Sequence, residues 1–178
     1  MISADLKRGK KGEKEIIDLF KGFGHLIAYN SDETLRSFHD LEFSLIDQDY
    51  RIAAYGSIEV KNDEYAVKTG NLAIEFYNGR SLKPSGINVT KSDLWAQIAF
   101  SQVWIANTKR LQRFVRVVEP YSIKYGVGDG NADIYLFKKD RIFDGNLFCR
   151  IDHLDSQNFF RTITQLLQWQ NTSSISTN

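Results

Sequence analysis

Apolar and polar positions along the chain recur with two periods, and those periods predict its elements. In GKKGEKEIIDLFKG, residues 9–22, Ile16, Ile17 and Phe20 recur at helical spacing, which predicts a helix stopped by Gly22 and Gly24. HLIAY, residues 25–29, is short and apolar and predicts a strand. The segment NSDETLRSFH is a polar connector. DLEFSLID, residues 40–47, alternates, with Leu41, Phe43 and Leu45 on one face and Asp40, Glu42 and Ser44 on the other. QDYR turns the chain into a strand over 52–61, and NLAIEFYN, residues 71–78, alternates again with Leu72, Ile74 and Phe76 inward. GRSLKPSGIN is a loop. TKSDLWAQIAF reads as a helix opening at Thr90, with Asp93 at the capping-box position. QVWIAN, residues 102–107, is rich in strand formers, and TKRLQRFVRVV, residues 108–118, predicts a helix starting at Thr108. DIYLFKKDRI predicts a late strand, with GVGDG, residues 126–130, as a hairpin turn. In SQNFFRTITQLLQW, residues 156–169, Phe159, Ile163, Leu166 and Leu167 share a helical face. The tail NTSSISTN is expected to be disordered.

The order is a helix, three or four strands able to form a meander, a helix, a strand and further elements. It predicts an α/β fold with a mixed sheet flanked by helices. The 178 residues, 42% of them hydrophobic, suffice for one core. The expected organisation is a single domain over 1–170, with a core at 9–107, additions at 108–170 and a tail at 171–178. Pro84 and Pro120 are the only prolines, so no Pro-rich linker divides the chain. The single cysteine, Cys149, excludes an internal disulfide framework and a Cys-based zinc site. It fits a reducing, cytoplasmic setting. No apolar run reaches the length of a membrane helix, and no signal peptide is expected at the N-terminus. A net charge of +1 gives no global case for nucleic acid. The opening LKRGKKGEK, residues 6–14, is locally basic, with Lys7, Arg8, Lys10, Lys11 and Lys14 against one acid. That pattern suits either a solvated helix start or contact with phosphates.

Candidate chemistry begins on the first helix. Glu13 lies on the stripe of Ile16, Ile17 and Phe20, and a carboxylate aimed at a core is paired, protonated or metal-bound. A snorkelling acid near the helix N-terminus is the structural alternative. In SIEVKND, Ile58 and Val60 point one way while Glu59, Lys61 and Asp63 point the other. Residues i and i+2 of a strand stand about 7 Å apart on one face. Asp40, Glu59 and the carbonyl of Val60 are hard oxygen donors suited to Mg2+ or Mn2+. Lys61 can organise a nucleophile or stabilise charge on a phosphoryl group. Any one of these residues also reads as ordinary strand polarity. The ordered set carries more weight: an inward Glu on a helix, a strand-start Asp, then Glu-x-Lys on the next strand. Asp63 has no assigned role. His25, His39 and His153 are too scattered for a zinc site, and Trp95, Trp104 and Trp169 are most simply core or interface residues.

Together, GKKGEKEI, FHDLEF and SIEVKND resemble the motifs of the PD-(D/E)XK nuclease superfamily, over roughly residues 9–107. The segments are also similar to those of phage endonucleases and archaeal-type Holliday junction resolvases. The resemblance implies a restriction-endonuclease-like αβββαβ core, carrying C-terminal α/β additions. It implies Glu13, Asp40, Glu59 and Lys61 as the catalytic set, with a divalent cation on Asp40, Glu59 and Val60. His39 stands where the family pattern carries proline and is a possible helper. Glu42, on the face of Asp40, and Glu75, on the next strand, are further acids for the site. The implied activity is metal-dependent hydrolysis of DNA to a 5′-phosphate and a 3′-hydroxyl, sequence-specific and of restriction or homing type. Cleavage of Holliday junctions or branched DNA is the alternative, and a non-catalytic nucleic-acid-binding module is the second class. Lys10, Lys11, Lys68, Asn71, Lys83 and Lys91 are the candidate DNA contacts. A homo-oligomer, dimer or higher, is expected, with DNA as partner and no membrane.

Overall fold

The stripe predicted on the first helix faces inward: Ile16 and Phe20 have no exposed surface. The computed structural model describes residues 4–30, 39–128, 131–143 and 146–172. Its first helix, α1 (Ala4–Gly22), starts before the predicted residue 9. Then come β1 (Leu26–Tyr29), β2 (Leu41–Ile46) and β3 (Ile52–Asp63), each paired antiparallel with the next. In β2 the alternation matches burial, with Leu41, Phe43 and Leu45 in the core. Most of the polar connector, residues 31–38, lies outside the described residues.

After β3 the chain forms α2 (Ala66–Thr69), β4 (Asn71–Asn78), β5 (Lys83–Pro84) and a 3₁₀ turn at Gly86–Asn88. It returns as β6 (Leu94–Ala99), parallel to β3, and β7 (Gln102–Asn107), antiparallel to β6. The helix predicted to open at Thr90 is therefore a strand. All of its residues from Leu94 to Ala99 are buried, because both faces of the sheet are covered here. A strand buried on both faces loses its alternation and reads like a buried helix. Asp93 caps no helix. Its Oδ2 accepts from the Ser57 N–H (2.8 Å) and the Ser57 hydroxyl (3.0 Å), which fastens β6 to β3.

The remaining elements are α3 (Thr108–Val117), β8 (Ser122–Val127), β9 (Ala132–Lys138), α4 (Lys139–Phe143), β10 (Phe148–Arg150) and α5 (Ser156–Thr172). The sequence pattern predicts neither β8 nor β10, and the second half of the predicted late strand is α4. The expected hairpin turn joins β8 to β9, with residues 129–130 outside the described ones. Helix α5 runs into the predicted tail as far as Thr172, and residues 173–178 lie outside the described ones. Among the described residues no helix is long and apolar enough to cross a membrane.

The fold is a mixed α/β arrangement. A six-stranded sheet has the order β1-β2-β3-β6-β7-β10, and a four-stranded antiparallel sheet has the order β5-β4-β9-β8. The strand at 71–78 forms where predicted but belongs to the second sheet, not to the meander. Ile58, Leu94 and Ile105 face α1 and α5 in one core, with Phe20, Phe159 and Ile163. Trp95 and Ala106 face the second sheet and α3 in another, with Ile74, Leu111 and Phe137. Helix α1 approaches β3 closely at Gly12, where a Cβ would stand 3.1 Å from the Asn62 Cβ. That contact gives the early glycine a packing reason.

Candidate active site

The site lies where β2 begins and β3 passes it. The Asp40 N–H donates to the carbonyl of Ile58 (3.0 Å), the residue that Leu41 pairs with, so Asp40 sits at the end of the β2–β3 ladder. It lies close enough to Glu59 for its charge to oppose ionisation there. Its Oδ2 accepts from the Val60 N–H at 2.8 Å. Backbone groups of alternate residues in a strand turn the same way, so the carbonyls of Ile58 and Val60 both face the β2 side. β2 starts at Leu41, so Val60 presents its carbonyl beside the Asp40 carboxylate rather than to a ladder partner in β2.

Glu59 is 8% exposed and its Oε1 lies 2.7 Å from Lys61 Nζ. The parallel pairing of β3 with β6 sets Trp95 opposite Glu59 and Gln97 opposite Lys61. Lys61 Nζ lies 5.8 Å from the centre of the Trp95 ring, within cation–π range. Trp95 Nε1–H donates to Gln97 Oε1 (3.0 Å). Gln97 is wholly buried, and its Nε2 makes no hydrogen bond. Trp95 and Gln97 form the floor of the site. Sequence reasoning misses both, because the register of a parallel pair separated by about thirty residues leaves no local signal.

Charge at the site is unbalanced. Burial pushes the Glu59 carboxyl up, Lys61 opposes that, and Asp40 and Glu75 add repulsion, leaving it above the ordinary range. Burial would lower Lys61, but Glu59, Glu75 and Asp40 outweigh it and hold the ammonium above its ordinary value. Lys61 is therefore protonated at neutral pH. Glu75 comes from β4 and accepts from the Ser85 hydroxyl at 2.6 Å. Gly86, at φ +50°, lies so close that a Cβ would be 2.3 Å from the Glu75 carbonyl oxygen. The second sheet thus contributes charge to a site built on the first.

The other predicted residues are placed as follows. Glu13 is half-buried on α1. Its neighbour Gly12 packs against Val60 and Asn62, which brings α1 onto the strand that carries Glu59 and Lys61. His39 Nε2 lies 3.0 Å from Asn30 Nδ2 and 3.2 Å from Glu42 Oε1, so Glu42 pairs with His39 next to the site. Lys10, Lys11, Lys68, Lys83 and Lys91 are exposed. Lys11 reaches Glu64 at 3.4 Å, and Lys68 Nζ lies 5.9 Å from the centre of the Tyr65 ring. Asn71 is buried and its Nδ2 donates to the Thr69 carbonyl (3.1 Å), which is the role of a turn residue. Asp63 now has a structural role. Oδ1 accepts from the N–H groups of Tyr65 and Ala66, each at 3.1 Å, and Oδ2 from that of Ala73 at 3.0 Å. It ties the end of β3 to α2 and β4.

A groove of about 760 Å3 beside β1, β2 and β3 is lined by Lys21, His39, Glu42, Ser57 and Asp93 among others. Among the described residues no three His, Cys, Asp or Glu side chains form a metal-ligating cluster. The Asp40 and Glu59 carboxylates and the Val60 carbonyl are hard oxygen donors of the kind that suits a divalent cation, and the one ammonium, Lys61, is near three acids. Such an ion keeps several waters, so an incomplete protein shell is its usual setting.

No family model matches the chain, and no curated protein matches it. Among solved structures, the chain is similar to a bacterial homing endonuclease, I-Ssp6803I, with 14% sequence identity and a TM-score of 0.49 over 98% of this chain and 100% of that one.

Proposed function

We propose that the protein is a divalent-metal-dependent DNA endonuclease, with Asp40, Glu59 and Lys61 as its central catalytic residues and Glu13 as a supporting acid. One observation carries the reading. Asp40, just before β2, accepts from the Val60 N–H (2.8 Å) on the strand that carries Glu59, and Lys61 Nζ lies 2.7 Å from Glu59 Oε1. Asp40, Glu59 and the Val60 carbonyl would hold Mg2+ or Mn2+. When bound, the cation supplies Lewis acidity toward a phosphoryl oxygen and lowers the pKa of a coordinated water. Lys61, kept protonated by its acidic surroundings, serves as a donor rather than a base. It stabilises the negative charge that builds on phosphorus and orients the attacking water. The water oxygen bonds to phosphorus as the bond to the 3′ oxygen breaks. The products are a 5′-phosphate and a 3′-hydroxyl.

The substrate on this reading is duplex DNA, cut in a sequence-specific manner of restriction or homing type by a homo-oligomer. The test is a panel of linear, supercoiled and four-way-junction DNA with Mg2+, comparing wild type, Glu59→Ala and Lys61→Ala. Cleavage by wild type and its loss by about a hundredfold or more in either variant is the expected result. Preferential cutting of the junction would replace the duplex reading with a resolvase. Full activity in both variants would remove the site assignment.

A further inference from the structure

Helix α3 carries Lys109, Arg110, Arg113 and Arg116 and no acidic residue. The whole chain has a net charge of only +1, so positive charge is concentrated here. The helix is divided by function around its axis. Leu111, Phe114 and Val115 pack into the core beneath the second sheet. Lys109, Arg113 and Arg116, at spacings of four and three residues, lie on the opposite side and are exposed.

The helix is fastened at its N-terminus and near its middle. Asn107 accepts from the Arg110 N–H (3.1 Å) as N-cap, and its Nδ2 donates to the Leu166 carbonyl (2.9 Å). Gln112 Nε2 donates to the carbonyls of Ile87 (3.1 Å) and Thr90 (3.2 Å). The Thr108 N–H donates to the Asp93 carbonyl (3.1 Å), so α3 starts beside the strand that carries Trp95 under Glu59 and Lys61. Leu111 and Trp95 belong to the same core, which puts α3 on the face of the large sheet that bears the site. Exposed Lys91, next to Thr90, extends the basic line toward β6.

We propose that the outer face of α3 is a docking surface for the phosphodiester backbone of duplex DNA. The proposal rests on the endonuclease reading of the site and adds a surface that holds the duplex beside it. Lys109 to Arg116 spans about 10 Å of helix, and phosphates of one strand advance about 3.4 Å per base pair, so the stripe matches about three successive phosphates. Arginine suits this partner, because its planar fork binds phosphate oxygens in pairs. A surface of this kind adds affinity without reading bases.

The test is DNA binding by the full chain, measured by fluorescence anisotropy on a labelled duplex over a series of salt concentrations, without divalent cation. The variant is Lys109→Gln/Arg113→Gln/Arg116→Gln. A control neutralises the exposed Arg51, Lys124 and Arg161, in the β2–β3 turn, β8 and α5. The α3 variant is expected to bind at least about tenfold more weakly on every duplex sequence. Its salt slope should fall by about 2 to 3, at roughly 0.9 for each phosphate no longer neutralised. The control should retain most of the wild-type affinity and slope. If wild type binds and the α3 variant matches it, the surface is overturned while the endonuclease reading stands, and an acidic protein becomes the occupant to test. An equal loss in the control also overturns it, because net charge would then be the cause. If wild type binds no duplex at any salt concentration, both readings fall.

Discussion

At the scale of single residues, two neighbouring acids on β3 have opposite characters. Glu59 is buried beside other acids, and its carboxyl sits above the ordinary range. Unfolded, it would lose its proton near the usual value, about 4.3. Folded, it loses it later. Its contribution to stability is therefore favourable at low pH and falls as pH rises from the unfolded value through the raised folded one. Denaturant midpoints measured across that window should decline in wild type, and Glu59→Gln should flatten the decline. Lys61 has linkage of the same sign in a higher window: its contribution is full below about pH 10.4 and is lost only as pH rises through its raised folded value. Asp63 differs in kind. Its carboxylate serves three backbone donors, so Asp63→Ala should cost about 1–3 kcal/mol in chemical denaturation. The folded variant should keep its cleavage rate, unlike Glu59→Ala. In the sequence these two acids look alike, since both lie on the polar face of one strand. What separates them is partners from β4, α2 and β2, which the local pattern does not contain.

Among the elements, alternation is a reliable guide where one sheet face meets the core and the other is open. β2 and β4 show this, and α1 and α5 show the helical counterpart. It fails at β6, where α1 and α5 cover one face and the second sheet covers the other. Asp93 strengthens the misreading, because an acid three residues after Thr90 matches a capping box. Its actual partner is Ser57, distant in sequence. The segment between β3 and β6 matters for the site as well, since it delivers Glu75. Gly86 sets how closely that segment passes Glu75, so Gly86→Ala should destabilise the fold by at least about 1 kcal/mol. It should also shift the acid limb of the pH–rate profile, because Glu75 helps hold Glu59 above its ordinary value. Thermal melts and pH–rate profiles of that variant test the two effects separately.

For the whole molecule, the candidate site is the meeting point of two sheets. The meander supplies Asp40, Glu59 and Lys61, β6 supplies the Trp95–Gln97 floor, and β4 supplies Glu75. The central trio is legible in sequence because each member sits at a strand position whose face is fixed by alternation. The floor, the second sheet's charge and the basic face of α3 depend on long-range packing and emerge only in the fold. The central claim is that this meeting point cleaves DNA with a divalent cation. Its most direct test is single-turnover cleavage of supercoiled plasmid by wild type and Lys61→Ala, each with and without Mg2+. Wild type is expected to cleave only with Mg2+, and Lys61→Ala to be slower by about a hundredfold or more. Cleavage that survives the removal of Mg2+, or that proceeds unchanged in Lys61→Ala, would contradict the claim.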